Sequence, residues 1–411
     1  MIAKIRLGSA ENIRAAQNIA NSVPFDADIQ SGDFVADAKT ISGKLNAPMG
    51  KHGILNFHTN DRAICEKLTE DMKKSGILIE KIRSSKKYAF SACAVGEMLI
   101  DFTMQGRNSQ GQRVFAQNAG GAPANVMAAM AKLGARTAFI GKAGSDMHGR
   151  FLKETLETCK INNDGFTLTD KYFTTLAFVD VKENGDREFA FARNHGADKF
   201  LEEADIPLDI INGSGILHVG SVSLTDEPER SAAFFAAAKA KESGATVSYD
   251  PNYRADLWHD GTSAAKMMRK MMRYADVIKI SDEETNIMTG TNDLDRAGDI
   301  LISSGIKIAV ITLGKRGAYV RTSDGSVTVP GFRNKALDAT GAGDSFWGGF
   351  LYQLSRSEKK PADVTLDEAA FFADFGNAVA SLCVEKHGAI PAMPEMADVE
   401  IKMKESRGGC L

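Results

Sequence analysis

The sequence is poor in residues that cross-link a chain or anchor it in a membrane. It has five cysteines among 411 residues, and no apolar run approaches the roughly 20 residues that cross a bilayer. The cysteines are too far apart for a CxxC metal clip, and their odd number disfavours a disulfide framework. They are Cys65, Cys93, Cys159, Cys383 and Cys410. The opening residues MIAKIRLGSAEN also lack the apolar core of a signal peptide. We therefore expect a cytoplasmic protein without a membrane partner.

The sequence also lacks a strong surplus of either charge. Lys and Arg number 50 and Asp and Glu number 53, so the formal net charge is −3. Neither a basic surface for nucleic acid nor an acidic solvating tail is expected. A composition of 43% hydrophobic and 25% charged residues is that of a globular protein large enough for more than one core.

A polar, basic stretch, EKIRSSKKYAFS at residues 80 to 91, separates two apolar patterns. Such a shift in composition is typical of a boundary between domains. We predict a first domain over residues 1–82, a linker over 83–87 and a second domain over 88–411.

The first domain is predicted to be a small α+β sandwich. A helix is expected after a cap at Ser9, strands over Phe25 to Ile29 and Gly53 to Thr59, and another helix after Asn60. The predicted order is β-α-β-α-β-α, with room for one more short strand.

In the second domain, apolar strand candidates alternate with helical stretches. The candidates are Tyr88 to Glu97, Thr137 to Gly141, Gly215 to Gly220, Thr246 to Asp250, Val277 to Ile280 and Ile308 to Leu313. This alternation predicts a doubly wound, mostly parallel sheet with helices on both faces. The segments LAFVDV and REFAFAR flank KENGD, whose Asn184-Gly185 pair favours a primed hairpin turn. We expect this hairpin to form part of a small β lid over residues 97–120 and 174–200.

The densest chemistry lies in the segment LDATGAGDSFWGGFLYQL. Gly341 and Gly343 open a helix, so free amide groups and the positive end of the helix dipole converge at residues 341 to 344. Asp344, in the first helical turn, could accept the proton of an attacking hydroxyl as a phosphoryl group passes over these amides. The alternative is that Asp344 only caps the helix and that the glycines only allow close packing.

Two other glycine-rich segments are candidates for ligand binding. NAGGAPANVMAAMAKLG places Gly120 and Gly121 before a helix, where Asn125 can present an amide to hydroxyl groups. VITLGKRGAYV ends a strand near Thr312 before a turn at Gly317, and ligands of open α/β sheets bind beyond the carboxyl ends of strands. Each segment alone is also compatible with an ordinary turn.

Together, GGAPANVMAAMAKLG and DATGAGDSFWGGF resemble the two signatures of the PfkB, or ribokinase-type, carbohydrate kinases, over residues from about 88 to 400. The segments GEMLIDF, DPNYRADLW and KHGAIPAMP are similar to the fructokinase-like branch of that family. The resemblance implies a ribokinase-like fold and the transfer of a phosphoryl group from ATP to a sugar hydroxyl.

The resemblance also implies roles for individual residues. Asp344 would be the general base, and the anion hole would be formed by Gly341, Ala342 and Gly343. The sugar would be held by Asp101, Gly121, Asn125 and Arg193, the last of them closing from the lid. ATP would lie along Thr312, Gly314, Gly317 and Asn377.

The family's metal-associated pattern is Asn-x-x-Glu, whereas this sequence has SDEE, beginning at Ser281. Glu284 can still orient water around Mg²⁺, a hard ion that prefers oxygen ligands, while Ser281 offers a hydroxyl in place of an amide. The resemblance further implies an activating monovalent cation such as K⁺ at Asp338, the backbone of Thr340 and the loop around Gly388.

Residues 1–82 resemble the histidine-containing phosphocarrier (HPr-like) domain, mainly through FDADIQSGDFVADAKTISG. Where that family has its phosphorylated histidine, this sequence has Glu11 or Asn12, and neither side chain can replace an imidazole in a phosphate relay. The histidines present, His52 and His58, fall elsewhere, and Thr40 lies where the family has a regulatory serine. We expect this domain either to bind a regulatory partner or to be a passive oligomerisation appendage.

These inferences predict ATP-dependent phosphorylation of a ketose such as D-fructose, with Mg²⁺ as the metal. An alternative within the class is a 2-keto-3-deoxygluconate kinase, whose substrate carboxylate would engage an arginine such as Arg254. A further alternative is a catalytically silent, regulatory member of the fold, although the intact Asp344 and glycine cradle argue against it. We expect a small-molecule sugar as substrate, a homodimer formed through the lid, and no nucleic-acid partner.

Overall fold

A computed structural model describes residues 2–7, 9–24, 27–31, 34–39, 52–57, 62–82, 88–181, 187–357 and 359–407. The chain divides into two compact units, residues 1–87 and residues 88–411. Each unit has its own hydrophobic core, and the two are described separately.

The described part of the first unit is an antiparallel sheet with two helices. The strands are β1 (Ile2–Arg6), β2 (Ala27–Ser31), β3 (Phe34–Asp37), β4 (His52–Phe57) and β5 (Leu78–Ile82). The helices are α1 (Ala10–Asn21) and α2 (Arg62–Lys74). The strand order is β3-β2-β4-β1-β5. Ile13 of α1 and Leu68 and Met72 of α2 lie in one buried cluster with the inward side chains of the sheet, so a single core supports this unit.

The prediction for this unit left room for one more short strand but named neither β3 nor β5, which form the two edges of the sheet. The apolar run of β5, from Ile77 to Ile79, is too short for a period to be recognised. The strand expected over Phe25 to Ile29 lies at Ala27–Ser31, and the cap expected at Ser9 is present, since its Oγ accepts the N–H of Asn12 at 3.1 Å. Thr40, His58 and Asn60 lie outside the described residues.

The second unit contains the remaining strands and helices of the described chain. Its strands are β6 (Phe90–Val95), β7 (Leu99–Arg107), β8 (Arg113–Gly120), β9 (Thr137–Gly144), β10 (Asn162–Thr169), β11 (Leu176–Val181), β12 (Arg187–Ala192), β13 (Ser214–Val219), β14 (Thr246–Tyr249), β15 (Val277–Ser281), β16 (Ile308–Thr312), β17 (Ala318–Thr322) and β18 (Gly325–Val329). Its helices are α3 (Ala122–Lys132), α4 (Met147–Thr158), α5 (Leu208–Asn212), α6 (Glu229–Ser243), α7 (Gly261–Met272), α8 (Thr285–Thr289), α9 (Leu294–Ser303), α10 (Ala342–Arg356), α11 (Leu366–Cys383) and α12 (Met396–Arg407).

A nine-stranded sheet in the order β10-β9-β6-β13-β14-β15-β16-β17-β18 forms the centre of this unit. Neighbouring strands from β10 to β16 are parallel, and only β17 and β18 join antiparallel. One face packs against α5 to α9 and the other against α3, α4, α10 and α11, each through its own buried cluster. The predicted doubly wound, mostly parallel sheet is therefore confirmed.

A separate four-stranded sheet in the order β12-β11-β7-β8 corresponds to the predicted lid segments. The expected hairpin is present, because β11 and β12 pair antiparallel from Leu176↔Ala192 to Val181↔Arg187. Its Asn184-Gly185 turn lies outside the described residues. In the register of this sheet, Asp101 of β7 pairs with Asn118 of β8 and with Ala177 of β11.

Three strands of the nine-stranded sheet, β10, β17 and β18, were not predicted. β10 reads NNDGFTLT and lies at the edge of the sheet, where partly exposed polar side chains hide the strand pattern. In β18, exposed and partly buried residues alternate, so it also lacks the apolar run of a buried strand. Across the described parts of both units, no helix combines the length and the apolarity needed to span a membrane.

Candidate active site

A cavity of about 180 Å³ lies where the lid meets the carboxyl-terminal edge of the central sheet. It is lined by the start of the lid, the N-terminus of α3, the loop after β14 and the N-terminus of α10, together with Phe191 of β12 and Val222 after β13. Its polar lining residues are Glu97, Asp101, Asn125, Asn252, Arg254, Thr340 and Asp344. This is the edge at which ligands bind in open α/β sheets.

Asp344 lies at the third position of α10 and is 7% exposed. Its Oδ2 accepts a hydrogen bond from Nδ2 of Asn125 at 2.8 Å, and its Oδ1 accepts one from Nδ2 of Asn252 at 3.1 Å. The two amides fix the carboxylate in the cavity. Because each carboxylate oxygen has a second lone pair, Asp344 can still accept a proton from a bound hydroxyl. Asp344 and Asn125, both predicted from the sequence, are thus in direct contact.

The N-terminus of α10 separates this cavity from another. Gly341 is the N-cap residue and has a φ of 75°, in the left-handed region that favours glycine. Gly341 and Asp344 line the first cavity, whereas Ala342 and Gly343 line the second. The predicted anion cradle therefore forms a wall shared by two cavities, with its free amide groups at the helix start.

The second cavity has a volume of about 290 Å³ and contains the residues predicted to lie along a nucleotide. These are Thr312, Gly314, Gly317 and Asn377. Asn377, on α11, donates its Nδ2 to the carbonyl oxygens of Val329 at 3.3 Å and Pro330 at 3.4 Å. It thereby holds the chain that follows β18 at the cavity wall.

A buried ion pair lies beneath the cradle. Nζ of Lys279, on β15, is 2.7 Å from Oδ2 of Asp250, and the two side chains are 6% and 1% exposed. A Cβ placed on Gly343 would lie 2.9 Å from this Nζ, so the ammonium group is next to the start of α10. Burial by itself lowers the pKa of Lys279, but the nearby carboxylates, first among them Asp250, raise it overall. The ammonium group thus adds a positive charge to the helix N-terminus.

Sequence reasoning missed three polar residues at this site: Lys279, Asn252 and Glu97. Lys279 interrupts the apolar strand VIKIS, and a lone charge in a buried strand is a signal that could have identified it. Asn252 has a φ of 45° in the loop after β14, and its DPN segment follows a strand end. Glu97 lies between β6 and β7; its Oε1 accepts the N–H of Ala122 at 3.2 Å, and burial raises its pKa to about 7.

Two adjacent glycines shape the lid side of the cavity. Gly121 has a φ of 110°, and a Cβ there would lie 2.5 Å from the carbonyl oxygen of Glu97. At Gly120, a Cβ would lie 2.1 Å from Oδ2 of Asp101. Because neither glycine has a side chain, there is room for the carboxylate of Asp101 and for the carbonyl group of Glu97. Asp101 and Gly121, both predicted from the sequence, therefore lie together at the cavity.

The structure does not bring Arg193 to the cavity. Its Nε donates to Asp198 and its Nη2 to Glu229, each at 2.7 Å, and its Nη1 donates to Thr225 at 2.8 Å. The side chain is 5% exposed. The guanidinium is thus engaged in a buried ion-pair cluster behind Glu97, and the expectation that it closes directly on the sugar is corrected.

The residues predicted to bind metal ions or to orient their water ligands accept hydrogen bonds from backbone N–H groups. Oε1 of Glu284 accepts the N–H of Tyr253 at 2.6 Å, and Oε2 accepts the N–H of Ser281 at 2.8 Å. Oδ1 of Asp338 accepts the N–H of Thr340 at 2.8 Å, and Oδ2 accepts the N–H of Gly388 at 2.9 Å. Within the described ranges, no three carboxylate, imidazole or thiol side chains cluster as a metal site.

Comparison with known proteins identifies the family. Residues 89–396 match the pfkB family carbohydrate kinase. The chain is 40% identical over 313 residues to the probable fructokinase-5 of Arabidopsis thaliana, covering 75% of this chain and 96% of that relative.

Solved structures agree with this match. The fructokinase of Xylella fastidiosa with bound ATP has a TM-score of 0.70 at 32% identity, covering 77% of this chain and 98% of that chain. The fructokinase of Vibrio cholerae O395, in a fructose-, ADP- and calcium-bound form, has a TM-score of 0.69 at 34% identity, covering 76% and 99%. By sequence, by fold and by the glycine cradle at the start of α10, the chain belongs to the pfkB family of carbohydrate kinases.

Proposed function

We propose that this protein transfers the γ-phosphoryl group of ATP to a hydroxyl group of D-fructose. The observation that carries the proposal is the N-terminus of α10, which forms a shared wall between two cavities. A sugar in the first cavity and a nucleotide in the second would meet across the amides of residues 341 to 344. In-line phosphoryl transfer requires this arrangement of acceptor, anion hole and donor.

The chain's own residues supply the remaining chemistry. Asp344, held by Asn125 and Asn252, takes the proton of the attacking hydroxyl. The free amides at the start of α10 stabilise the charge that develops on the phosphoryl oxygens. Lys279, adjacent to Gly343, strengthens the same positive potential.

Fructose is the acceptor that best fits the cavity and the relatives. The fructokinases of Arabidopsis thaliana, Xylella fastidiosa and Vibrio cholerae are similar to this chain over about three quarters of its length. The carboxyl groups of Glu97, Asp101 and Asp344 all line the cavity, and they would repel the carboxylate of a sugar acid. Arg254 is the cation on the cavity wall that keeps 2-keto-3-deoxygluconate as the second candidate.

Mg²⁺ fits this site as an ion carried by the nucleotide phosphates and water, with Glu284 as the carboxylate that orients a water ligand. When bound, the ion would neutralise charge on the phosphate oxygens. A monovalent cation near Thr340 and Gly388 is supported by Asp338, whose carboxylate accepts a backbone N–H from each of these two residues.

The first unit is proposed to be an HPr-like module that no longer carries phosphate. Its antiparallel sheet and two helices share one core, and Ser9, Glu11 and Asn12 occupy the start of α1, where a phosphorylated histidine would be required. Its role would be to bind a regulatory partner.

For the second unit, a homodimer through the lid is supported by Phe178 and Val114, which are 38% and 43% exposed. Cytoplasmic placement is supported by the free thiols of Cys93, Cys159 and Cys383.

Substitution of the base tests the proposal. Asp344→Asn keeps the volume and one acceptor but cannot take up a proton, so we expect turnover with fructose to fall by roughly 10²- to 10⁴-fold. The dissociation constant for ATP should change little, because the carboxylate faces the sugar cavity. A coupled ADP-release assay over fructose, 2-keto-3-deoxygluconate, ribose and adenosine measures both the loss and the substrate preference. Near-normal turnover of the variant would exclude Asp344 as the base, and an inactive wild-type enzyme across the panel would favour the silent, regulatory member of the fold.

A further inference from the structure

Glu97 is a buried acid at the cavity that the proposed reaction does not yet use. It is 3% exposed and lies in the short connection between β6 and β7, where the central sheet passes into the lid. Its Oε1 accepts the N–H of Ala122 at 3.2 Å. Ala122 is the first residue of α3, and the N-cap residue of that helix, Gly121, has no side chain that could serve as a cap. One oxygen of Glu97 therefore has a structural task.

The other carboxyl oxygen of Glu97 has no such structural role. Oε2 of Glu97 is buried and has no hydrogen-bond partner within the part of the chain that the structure describes. Oδ1 of Asn125 is likewise buried without a hydrogen-bond partner among the described residues. Both residues line the same cavity of about 180 Å³. Buried acceptors without donors cost free energy, so native proteins retain them mainly where a ligand or an ordered water completes the bond.

The charged groups around Glu97 do not supply the missing donor. Arg193 is a cation whose charge acts on Glu97, but its Nε, Nη1 and Nη2 atoms donate to Asp198, Thr225 and Glu229. Asp101 and Asp344, which share the cavity, are carboxyl groups like Glu97. These charged groups therefore leave Oε2 without a donor, whereas a molecule in the cavity can supply one, and a polyhydroxylated sugar consists largely of such donors.

We propose that Glu97 is a sugar-binding residue whose Oε2 accepts a hydrogen bond from one particular hydroxyl group of the ketohexose. Its Oε1 simultaneously caps α3, the helix that carries Asn125, so Glu97 couples sugar binding to the position of the residue that holds the base. The inference rests on the proposed placement of the sugar in this cavity.

The Glu97→Gln variant provides the test. Its amide oxygen can still cap Ala122, whereas its amide nitrogen presents a donor where the sugar needs an acceptor. Measured at pH 8, where the wild-type carboxyl group is ionised, KM for fructose should rise by roughly 10- to 100-fold. KM for ATP and kcat should change by much less. Glu154→Gln, an exposed substitution on α4, is the matched control and should behave as wild type.

A panel of monodeoxyfructoses separates a direct contact from an effect on the fold. For the analogue that lacks the paired hydroxyl, the ratio of KM between variant and wild type should fall close to one. For the other analogues, the ratio should stay as large as for fructose. A ratio that is the same for every sugar, or an unchanged KM for fructose, would overturn the proposal. If Glu97→Gln is insoluble, Glu97→Asp replaces it in the same panel, with the same hydroxyl-specific ratio expected.

The Asp344→Asn measurement distinguishes the two possible failures. Full turnover in Asp344→Asn would remove the proposed site and this inference together. An inactive Asp344→Asn combined with a uniform KM ratio for Glu97→Gln would leave the site in place and remove only the role of Glu97.

Discussion

At the scale of single residues, ionisable groups are concentrated behind the cavity, where water is scarce. Asp250 pairs with Lys279, and Arg193 pairs with Asp198 and Glu229. Breaking such a buried pair leaves an uncompensated charge, which is far more costly than losing a surface salt bridge. The arrangement around the site thus depends on the protonation of a few carboxyl groups, with Glu97 the one that lines the cavity and has a pKa near neutrality.

The raised pKa of Glu97 makes stability depend on pH. Burial raises this pKa from 4.5 to about 7, so between these values the folded protein binds a proton that the unfolded chain has released. The stabilisation is complete below pH 4.5 and is lost as the pH rises through 7, a span of about 3 kcal/mol at 1.36 kcal/mol per pKa unit. The Glu97→Gln variant has no such group. Its melting temperature should therefore rise relative to wild type as the pH increases from 5 to 8, measured by differential scanning fluorimetry. A difference in melting temperature that is constant over this range would contradict the raised pKa.

Residues on glycine-rich helix starts could be predicted from the sequence, whereas contacts between distant segments could not. Asp344 and Asn125 were identified because each follows a glycine motif, although 219 positions separate them in the chain. Lys279 and Asp250 pair only because β14 and β15 are neighbours in the sheet, and single-sequence periodicity carries no information on which strands are adjacent. The family resemblance implies that Arg193 contacts the sugar, but Asp198, five positions later, binds it.

At the scale of elements, the ends of β14 and β15 support the N-terminus of α10. Asp250 follows β14 directly, and its carboxylate holds the Lys279 ammonium next to Gly343. Helix starts stabilise anions through their free amides, and a buried cation nearby strengthens that effect in a low-dielectric site. The cradle is therefore built by three elements together.

This arrangement predicts the effect of removing Lys279. Lys279→Met should lower kcat by roughly 10- to 100-fold, because the developing phosphoryl charge loses one stabilising cation. The single variant also leaves Asp250 buried without its partner and should melt at a lower temperature. In the double variant Lys279→Met, Asp250→Asn, the melting temperature should recover while kcat stays low. Steady-state kinetics and thermal melts of the three proteins check this, and a double variant with wild-type kcat would show that Lys279 serves only to neutralise Asp250.

Most elements of the second unit could be predicted because buried parallel strands have continuous apolar sequences. All six strands expected there are present within a few residues of the predicted bounds. The strands that were not predicted all lie at or next to a sheet edge: β3, β5, β10, β17 and β18. Edge strands face water on one side, so their sequences carry polar residues and resemble loops.

At the scale of the whole molecule, each of the two units has a core of its own. The family match covers residues 89–396 and leaves the first unit outside it. All of the proposed catalytic, sugar-binding and nucleotide-binding residues lie in the second unit, on the nine-stranded sheet, its helices and the lid. The buried clusters on the two faces of that sheet contain only residues of the second unit, so its folding does not require the core of the first.

A protein beginning at Tyr88 should therefore fold and phosphorylate fructose. We expect kcat/KM for fructose and for ATP to stay within about threefold of the full-length enzyme, because no proposed site residue is removed. Circular dichroism and the coupled assay measure folding and activity, with Asp344→Asn in the same background as the inactive control.

The separate first unit, incubated with phosphoenolpyruvate and the general phosphotransferase enzyme, should remain unlabelled, since neither Glu11 nor Asn12 can carry phosphate as a histidine does. Loss of activity in the shortened protein would mean that the first unit contributes to catalysis, and acid-labile phosphate on His52 or His58 would mean that it still takes part in phosphate transfer.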